Sequence, residues 1–313
     1  MNRSDIDVIV IGELNIDLVL WNVPMPENER EKLAQDMRFA MGSSSAITAH
    51  NLAAVGSKVA FIGKAGSDVF GDFMMQQLQA GGVDTSTIIR DNSLKTGATI
   101  VIANPPKKAM LTYMGAMTEL TIADINWQVV AKSKHLHLGS FFLQTGIRKD
   151  VPQLFSKAKE LGLTTSMDTN WDPDEKWGED LTAALKFTDI FLPNDDEALQ
   201  ITRKATIEQA ISELCQLVKV VAVKRGKSGA TVCSDGHVFN AAGFKVKALE
   251  TTGAGDSFNA GFLHKYLQGA NWQECLNFGN ACGALAVTAI GGTEAFRDKA
   301  NLKKKLSDIL ESA

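Results

Sequence analysis

The regular alternation of short apolar runs and helical patterns after residue 134 constrains this chain more than any other feature. His135–Leu138, Thr164–Asp168, Ile190–Leu192 and Val218–Val223 read as buried strands. Between them, Val151–Leu161 (ended by Gly162), Leu181–Phe187 and a stretch through Ile207, Ala210, Ile211, Leu214 and Leu217 read as helices, the last capped by Thr206. Such spacing makes βαβ units, and hence a parallel sheet covered by helices. Residues 7–11, stopped by Gly12, and Val59–Ile62 are further buried strands. Helices are expected over 43–55 and over Phe70–Ala80, the second with Phe73, Met74 and Leu78 inward and Gly81-Gly82 as its stop. Two short strands within 230–246 and helices near 256–268, 272–290 and 298–311 close the chain. In the last helix, Lys303-Lys304-Lys305 opposes a Leu302, Leu306, Ile309, Leu310 stripe and reads as a solvated face.

Two segments break the alternation. Val19, Leu20, Trp21 and Val23 precede Pro24, Pro26 and a mixed charged stretch, so 18–40 reads as a hairpin-like excursion with one wet face. Apolar runs at 97–103 and 109–114 flank Asn104-Pro105-Pro106-Lys107-Lys108, a second hairpin signal.

Composition narrows the function. With 313 residues the chain has room for two domains or one large α/β domain. A net charge of −4 gives no general basic field, which argues against nucleic acid as the main partner. Cys215, Cys233, Cys275 and Cys282 show no CxxC spacing, so neither a zinc site nor a redox pair is indicated. The start, Met1 to Asp7, carries acid before a strand-sized run at Val8 to Ile11, unlike a signal peptide, and no stretch reads as a membrane span. A cytoplasmic protein without a membrane partner is the expectation.

The segment that points to chemistry is Glu250-Thr-Thr-Gly-Ala-Gly-Asp256-Ser-Phe-Asn-Ala-Gly-Phe262. Gly253-Ala254-Gly255 can bring backbone N–H groups to an anion just where a helix dipole begins. Asp256 then sits in the first turn, where a carboxylate beside phosphate is unfavourable unless it takes a proton from an attacking hydroxyl. A plain glycine turn with a helix-start Asp has the same spacing.

This segment resembles the GAGD signature of the PfkB-type carbohydrate kinases, the ribokinase-like family. The resemblance runs in order from Gly12 to Gly292. Gly12-Glu13-Leu14-Asn15-Ile16-Asp17 is similar to the family's opening sugar-binding turn, and Met41-Gly42-Ser43-Ser44-Ser45-Ala46 to its glycine-pair segment. Gly63 to Gly71, Gly82-Val83-Asp84, Thr96-Gly97 and Gly115 to Leu120 resemble its next landmarks. Asn194-Asp195-Asp196-Glu197 resembles the NxxE motif, Lys224 to Ala230 the nucleotide-side glycine loop, and Asn280 to Gly292 the adenine-side helix.

The resemblance implies an α/β fold: a three-layer αβα ribokinase-like core with a mostly parallel central sheet and a small β lid. Residues 1–313 would form a single kinase domain, with lid excursions at about 18–40 and 97–114. It implies phosphoryl transfer from ATP to a hydroxyl, of primary type, on a small-molecule sugar, and a homodimer through the lid. Asp256 would be the base, and Gly253, Ala254 and Gly255 would hold the phosphoryl oxygens. Asn15 and Asp17 would bind sugar hydroxyls, with Gly42 and Ser43 approaching closely. Asn194 and Glu197 would organise Mg²⁺ and phosphate through water. Lys224, Gly226 and Gly229 would line the ATP side, Lys224 and Arg225 as cations free to contact phosphate, and Asn280 would lie near the base.

Departures from the family pattern bear on the substrate. Ile47 stands where the family carries Asn, removing a polar contact to the sugar. Glu250 replaces an Asp that helps organise a monovalent cation, which weakens the case for K⁺. Asp168-Thr169-Asn170-Trp171-Asp172 has Asp172 where fructokinase-like members carry Arg, which disfavours phosphorylated and acid sugars. Gly139 stands where ribokinase-like members place a sugar-binding Glu. Elsewhere, His135 and His137 alternate along one strand, so only one need face the core. His50 reads as packing, and Trp171 and Trp177 as loop packing or a ligand shelf. A nucleoside kinase of the same family and a non-catalytic sugar or nucleotide sensor remain as alternatives. A nicotinamide oxidoreductase does not fit, because Gly-Glu-Leu-Asn-Ile-Asp rather than GxGxxG follows the first strand.

Overall fold

The computed structural model describes residues 6–104 and 107–312. Met1 to Asp5, Pro105, Pro106 and Ala313, and with them the centre of the second hairpin signal, lie outside the described residues. In chain order the elements begin with β1 (Ile6–Ile11), β2 (Asn15–Trp21), β3 (Asp36–Met41), α1 (Ser44–Ala54), β4 (Val59–Ile62), β5 (Lys64–Gly66), α2 (Val69–Gly81) and β6 (Ile89–Asp91). Next come β7 (Gly97–Asn104), β8 (Lys107–Tyr113), α3 (Trp127–Val130), β9 (Ser133–Leu138), α4 (Val151–Glu160), β10 (Thr164–Met167), α5 (Glu179–Leu185), β11 (Ile190–Phe191), α6 (Asp195–Thr202) and α7 (Ile207–Leu217). The chain closes with β12 (Val220–Lys224), β13 (Ala230–Ser234), β14 (His237–Ala241), α8 (Ala254–Leu267), α9 (Trp272–Ala286) and α10 (Lys299–Leu310).

The main sheet has the order β14-β13-β12-β11-β10-β9-β1-β4. Its pairs are parallel from β4 to β12, and β13 and β14 add an antiparallel edge. Both faces are covered. Ile9, Ile11, Leu136 and Leu138 pack with α4, α5 and α7 on one side, and Val8 and Val10 pack with α1, α2 and α8 on the other. Continuous apolar strands are what a sheet buried on both faces requires.

The two irregular segments meet in a second, four-stranded sheet of order β3-β2-β7-β8. The pairing β2–β7 is parallel and joins both excursions, a contact that neither hairpin signal contained. Phe73 is half-buried; it packs at the edge of the core, and its ring also lies 4.5 Å from that of Phe39 in this small sheet. The helix expected to reach residue 290 ends at Ala286, because the Val287 carbonyl accepts from Leu249 N at 2.7 Å instead of continuing the helix.

Two readings are corrected at the sheet. His135 and His137, two residues apart on one strand, share a face, and both are fully buried. Both ring systems meet Ser166 Oγ, at 2.7 and 2.8 Å, and burial pushes their pKa values down to about 3 and about 4, so they are neutral core residues. Cys215 of α7 and Cys233 of β13 are joined as a disulfide, their Cα atoms 6.3 Å apart. Spacing could not show this pair, since it depends on α7 packing back over the sheet.

Candidate active site

The site residues follow the carboxyl ends of β1, β9, β10, β11 and β12, where an open α/β sheet places ligands. α8 starts against this edge. Gly253 is its N-cap, with φ 74°, and the N–H groups of Gly253, Gly255 and Asp256 have no protein acceptor among the described residues. Ala254 N reaches Thr251 O at 3.3 Å, so of the expected anion donors it is the one already engaged. Free N–H groups at a helix start form an anion site.

Asp256 is enclosed. Burial pushes its carboxyl up to about 7, against a hydrogen bond donated by Ser44, with the Asp168 charge adding to the rise. Three consecutive serines open α1, and each has a separate task. Ser43 Oγ caps the helix by accepting from Ala46 N at 2.9 Å and donates to Glu13 O at 2.6 Å. Ser44 holds Asp256, and Ser45 holds Glu13 through both its N–H and its hydroxyl. The Ser43 hydroxyl is thus engaged with protein in both directions, not left free for sugar.

Asn15, Asp17 and Gly42 do come together. Asn15 Nδ2 donates to Asp17 Oδ1 at 3.1 Å and to Thr99 Oγ1 at 3.3 Å. A Cβ on Gly42 would lie 2.6 Å from Asn15 Nδ2, so only glycine lets the segments meet. Burial and then the Glu250 charge raise the Asp17 carboxyl to about 7.

On the other side of Gly255 lies a cavity of about 600 Å³, lined in part by Lys224, Gly226, Gly229, Ala254, Gly255 and Asn280. Asn280 Nδ2 donates to Ala241 O and Ala242 O, at 3.2 and 3.1 Å, and ties α9 to the exit of β14. Asn194 and Glu197 are not part of this lining. They form a reciprocal cap at the start of α6, with Asn194 N to Glu197 Oε2 and Glu197 N to Asn194 Oδ1 both 2.8 Å. Lys224, for which the sequence leaves phosphate contact and solvation equally open, is not a solvated cation. Its ammonium is buried against Asp168 at 2.6 Å.

The departures also have structural answers. Ile47 is buried against Gly292, where a Cβ would lie 2.5 Å from its Cδ1, and Asn51 one turn later supplies the polar tie, to Gly292 O at 3.0 Å and Ser257 Oγ at 2.9 Å. Asp172 does not confront a ligand. It accepts from the N–H groups of Asp174, Lys176 and Trp177, at 3.0, 2.8 and 2.8 Å, and organises its own loop. Its charge is therefore no argument against anionic sugars. Trp171 and Trp177 meet edge to face with centroids 5.1 Å apart, which is loop packing. His50 is buried, with Nδ1 2.9 Å from Asn51 Oδ1. Glu250 accepts from Thr252 Oγ1 and, at 2.8 Å, from Gly291 N, so both oxygens clamp the loop.

An anion-binding helix start, a half-buried carboxyl beside it and a polar pocket across from a nucleotide-sized cavity fit phosphoryl transfer. Comparison with known proteins agrees: residues 5–299 match the family model described as pfkB family carbohydrate kinase. The chain belongs to that family. An uncharacterized sugar kinase of Archaeoglobus fulgidus is 30% identical over 78% of this chain and 96% of its own length. A 5-dehydro-2-deoxygluconokinase of Lacticaseibacillus casei is 28% identical over 92% of each. The crystal structure of a putative ribokinase II from E. coli superposes with a TM-score of 0.86 at 25% identity, covering 97% of this chain and 99% of that one. The protein is a carbohydrate kinase with the ribokinase-like fold. No helix among the described residues is long and apolar enough to cross a membrane.

Sequence reasoning did not assign Glu13, Ser44, Asn51, Thr99 or Asn259, nor a role for Asp168 in holding Lys224. One signal was available: a helix start needs one capping serine, and this one has three.

Proposed function

We propose that this kinase transfers the γ-phosphoryl group of ATP to a hydroxyl, of primary type, on a neutral sugar, with Asp256 as general base. The observation that carries the neutral-sugar reading is the acidity of the acceptor side. Asp17 and Asp256 are both raised to about 7, by burial first; Glu250 and Glu13 add like charge at Asp17 and Asp168 and Glu13 at Asp256, opposed by Lys108 at the first and Lys224 at the second. A phosphorylated or acid sugar would add a further negative charge to that cluster. With Asn15 Nδ2 engaged by Asp17 Oδ1 and Thr99, Asp17 Oδ2 and Asn15 Oδ1 are the acceptors offered to the hydroxyls of a diol. The N–H groups of Gly253, Gly255 and Asp256 take the transferring oxygens, and the α8 dipole adds positive potential. Asp256 must be ionised to accept the hydroxyl proton, so activity rises as pH passes through about 7.

ATP occupies the cavity beside Lys224, Gly226 and Gly229 in this reading. The residues present fit Mg²⁺ only through water, because Glu197 Oε2 is held by the α6 cap and no group of three ligating side chains that could hold a metal stands among the described residues. When bound, Mg²⁺ neutralises charge on the phosphate oxygens and keeps most of its own waters. The β3-β2-β7-β8 sheet acts as the lid. ADP release from Mg·ATP tests the reading, over D-fructose, D-ribose, adenosine, a 2-deoxy-gluconate and ribose 1-phosphate, with and without K⁺. Turnover with a neutral sugar and a rise with pH near 7 are expected. Preference for an anionic acceptor defeats the neutral-sugar assignment, adenosine turnover makes it a nucleoside kinase, and Mg·ATP binding with no turnover on any acceptor favours a sensor.

The lid also supports the homodimer. In register, Asp17 pairs with Ala40 and Thr99, while Leu18 pairs with Phe39 and Ile100, and Ile100 with Leu111. Successive residues point to opposite faces, so Phe39, Ile100 and Leu111 lie on the face away from Asp17. They are exposed by 42%, 39% and 61%. Phe70 and Phe73 of α2 already lie against Phe39, and a second copy of this sheet would cover the apolar surface left at Ile100 and Leu111. Ile100→Lys with Leu111→Lys is expected to convert a dimer to a monomer in light scattering, and a monomeric wild type removes the assignment.

A further inference from the structure

Lys224 and Asp168 form a buried ion pair, with side-chain exposures of 12% and 2% and an Nζ–Oδ2 distance of 2.6 Å. Removing two charges from water is costly, and such a pair is weak evidence for stability, since apolar replacements are often neutral or better. What distinguishes this pair is its unequal satisfaction. Asp168 is nearly filled: Oδ1 accepts from Asn170 N at 3.0 Å, and Oδ2 accepts from Lys224 and from Asn259 Nδ2, three of the about four positions a carboxylate has. Lys224 has three N–H donors and uses one, on Asp168.

The spare donors lie at the anion site. The Lys224 Nζ is 3.6 Å from where a Cβ on Gly255 would stand, and Lys224 also lines the nucleotide cavity. Asn259 reaches Asp168 from α8 itself, one turn after Asp256. The tether therefore fixes the ammonium to the helix that carries both the anion donors and the base.

We propose that the Lys224 ammonium is a catalytic group that takes up charge on the transferring phosphoryl oxygens, and that Asp168, held by Asn259, is its positioning residue. The inference rests on the kinase reading above and assigns Lys224 to the transition state rather than to ATP binding. In the step, the acceptor oxygen forms a bond to the γ-phosphorus and the bond to the β,γ-bridging oxygen breaks. The bridging electron pair leaves with ADP, and the hydroxyl proton passes to Asp256. Charge then spreads over the three equatorial oxygens beside Lys224. A cation fixed in advance is worth more here than one that must reorganise.

The test compares binding of Mg·ATP with binding of Mg·ADP plus aluminium tetrafluoride, a mimic of the transferring group, by calorimetry on the full chain. This readout does not depend on knowing the acceptor. Lys224→Met is expected to weaken the mimic about 10²-fold while Mg·ATP changes less than about threefold. Asp168→Asn should weaken the mimic about tenfold. The double variant Asp168→Asn with Lys224→Met replaces the pair by neutral groups of similar size, which guards against misfolding from an unpaired buried charge. It should match Lys224→Met alone, because Asp168 acts through Lys224. Equal loss for both ligands, or no loss, overturns the catalytic role. Additive losses in the double variant overturn the positioning role. A wild type that binds neither ligand overturns the kinase reading itself, an outcome distinct from the other two.

Discussion

Asp256→Asn is expected to lower turnover by at least about 10²-fold while leaving Mg·ATP binding intact and raising stability at pH 8. The loss of rate follows from position. Asp256 is the carboxyl beside the free N–H groups of α8, and an amide cannot accept the acceptor's proton. The gain in stability follows from linkage. Burial raises the folded-state pKa of Asp256 from 3.8 to about 7. Between those values the folded state binds more protons than the unfolded chain, so this group's contribution to stability falls as pH rises, and the cost is complete above about 7. Asn keeps an acceptor for Ser44 and carries no charge, so it escapes that cost. A Tm increase of a few °C at pH 8 is expected, narrowing as pH is lowered toward 4. Steady-state kinetics and melts at several pH values check both halves. Turnover near wild type would sink Asp256 as the base. Loss of rate without the pH-dependent stabilisation would mean that the carboxylate is better solvated than its enclosure indicates. Function and stability pulling against each other at one residue is the expected mark of a catalytic group.

What could be read from the sequence is what is local. The βαβ rhythm is built from short runs that each show their own period, and the α8 glycine start and the position of Asp256 are contained in a dozen residues; all are where periodicity and turn chemistry put them. What escaped depends on the tertiary fold. Ser44 is 212 residues from Asp256, and their contact exists only because α1 packs on α8. For Lys224 the sequence leaves phosphate contact and solvation equally open, because its buried partner is carried two strands away across β11. Asp172 looked repulsive because a charge was counted without its N–H partners. Ile47 looked like a lost sugar contact, although that side chain backs the Gly291-Gly292 turn. In each case the residue type was right and the direction of the side chain was unknown. Direction is what a one-dimensional pattern lacks wherever the partner lies on another element.

Gly253→Ala is the second large effect. Gly253 adopts φ 74°, where a Cβ costs about 1–2 kcal/mol, and its Cβ would lie 2.5 Å from the Gly292 Cα. Backbone cannot yield as a flexible side chain does. The clash pushes the start of α8 away from the Gly291-Gly292 turn, which Glu250 and Asn51 hold from the other side. The N–H groups of Gly255 and Asp256 then leave the line of transfer, and a displacement of about 1 Å is enough for a 10²-fold loss. kcat is therefore expected to fall at least about 10²-fold. Gly236→Ala separates strain from geometry. Gly236 has φ 76° in the β13–β14 turn, with nothing within 4 Å of the added methyl. It should lose comparable backbone stability and keep kcat within about twofold. Measured side by side, a rate loss confined to Gly253→Ala locates the phosphoryl site at the start of α8. Equal and small losses in both would show that the α8 N–H groups do not hold the transferring oxygens, even if Asp256 proves to be the base.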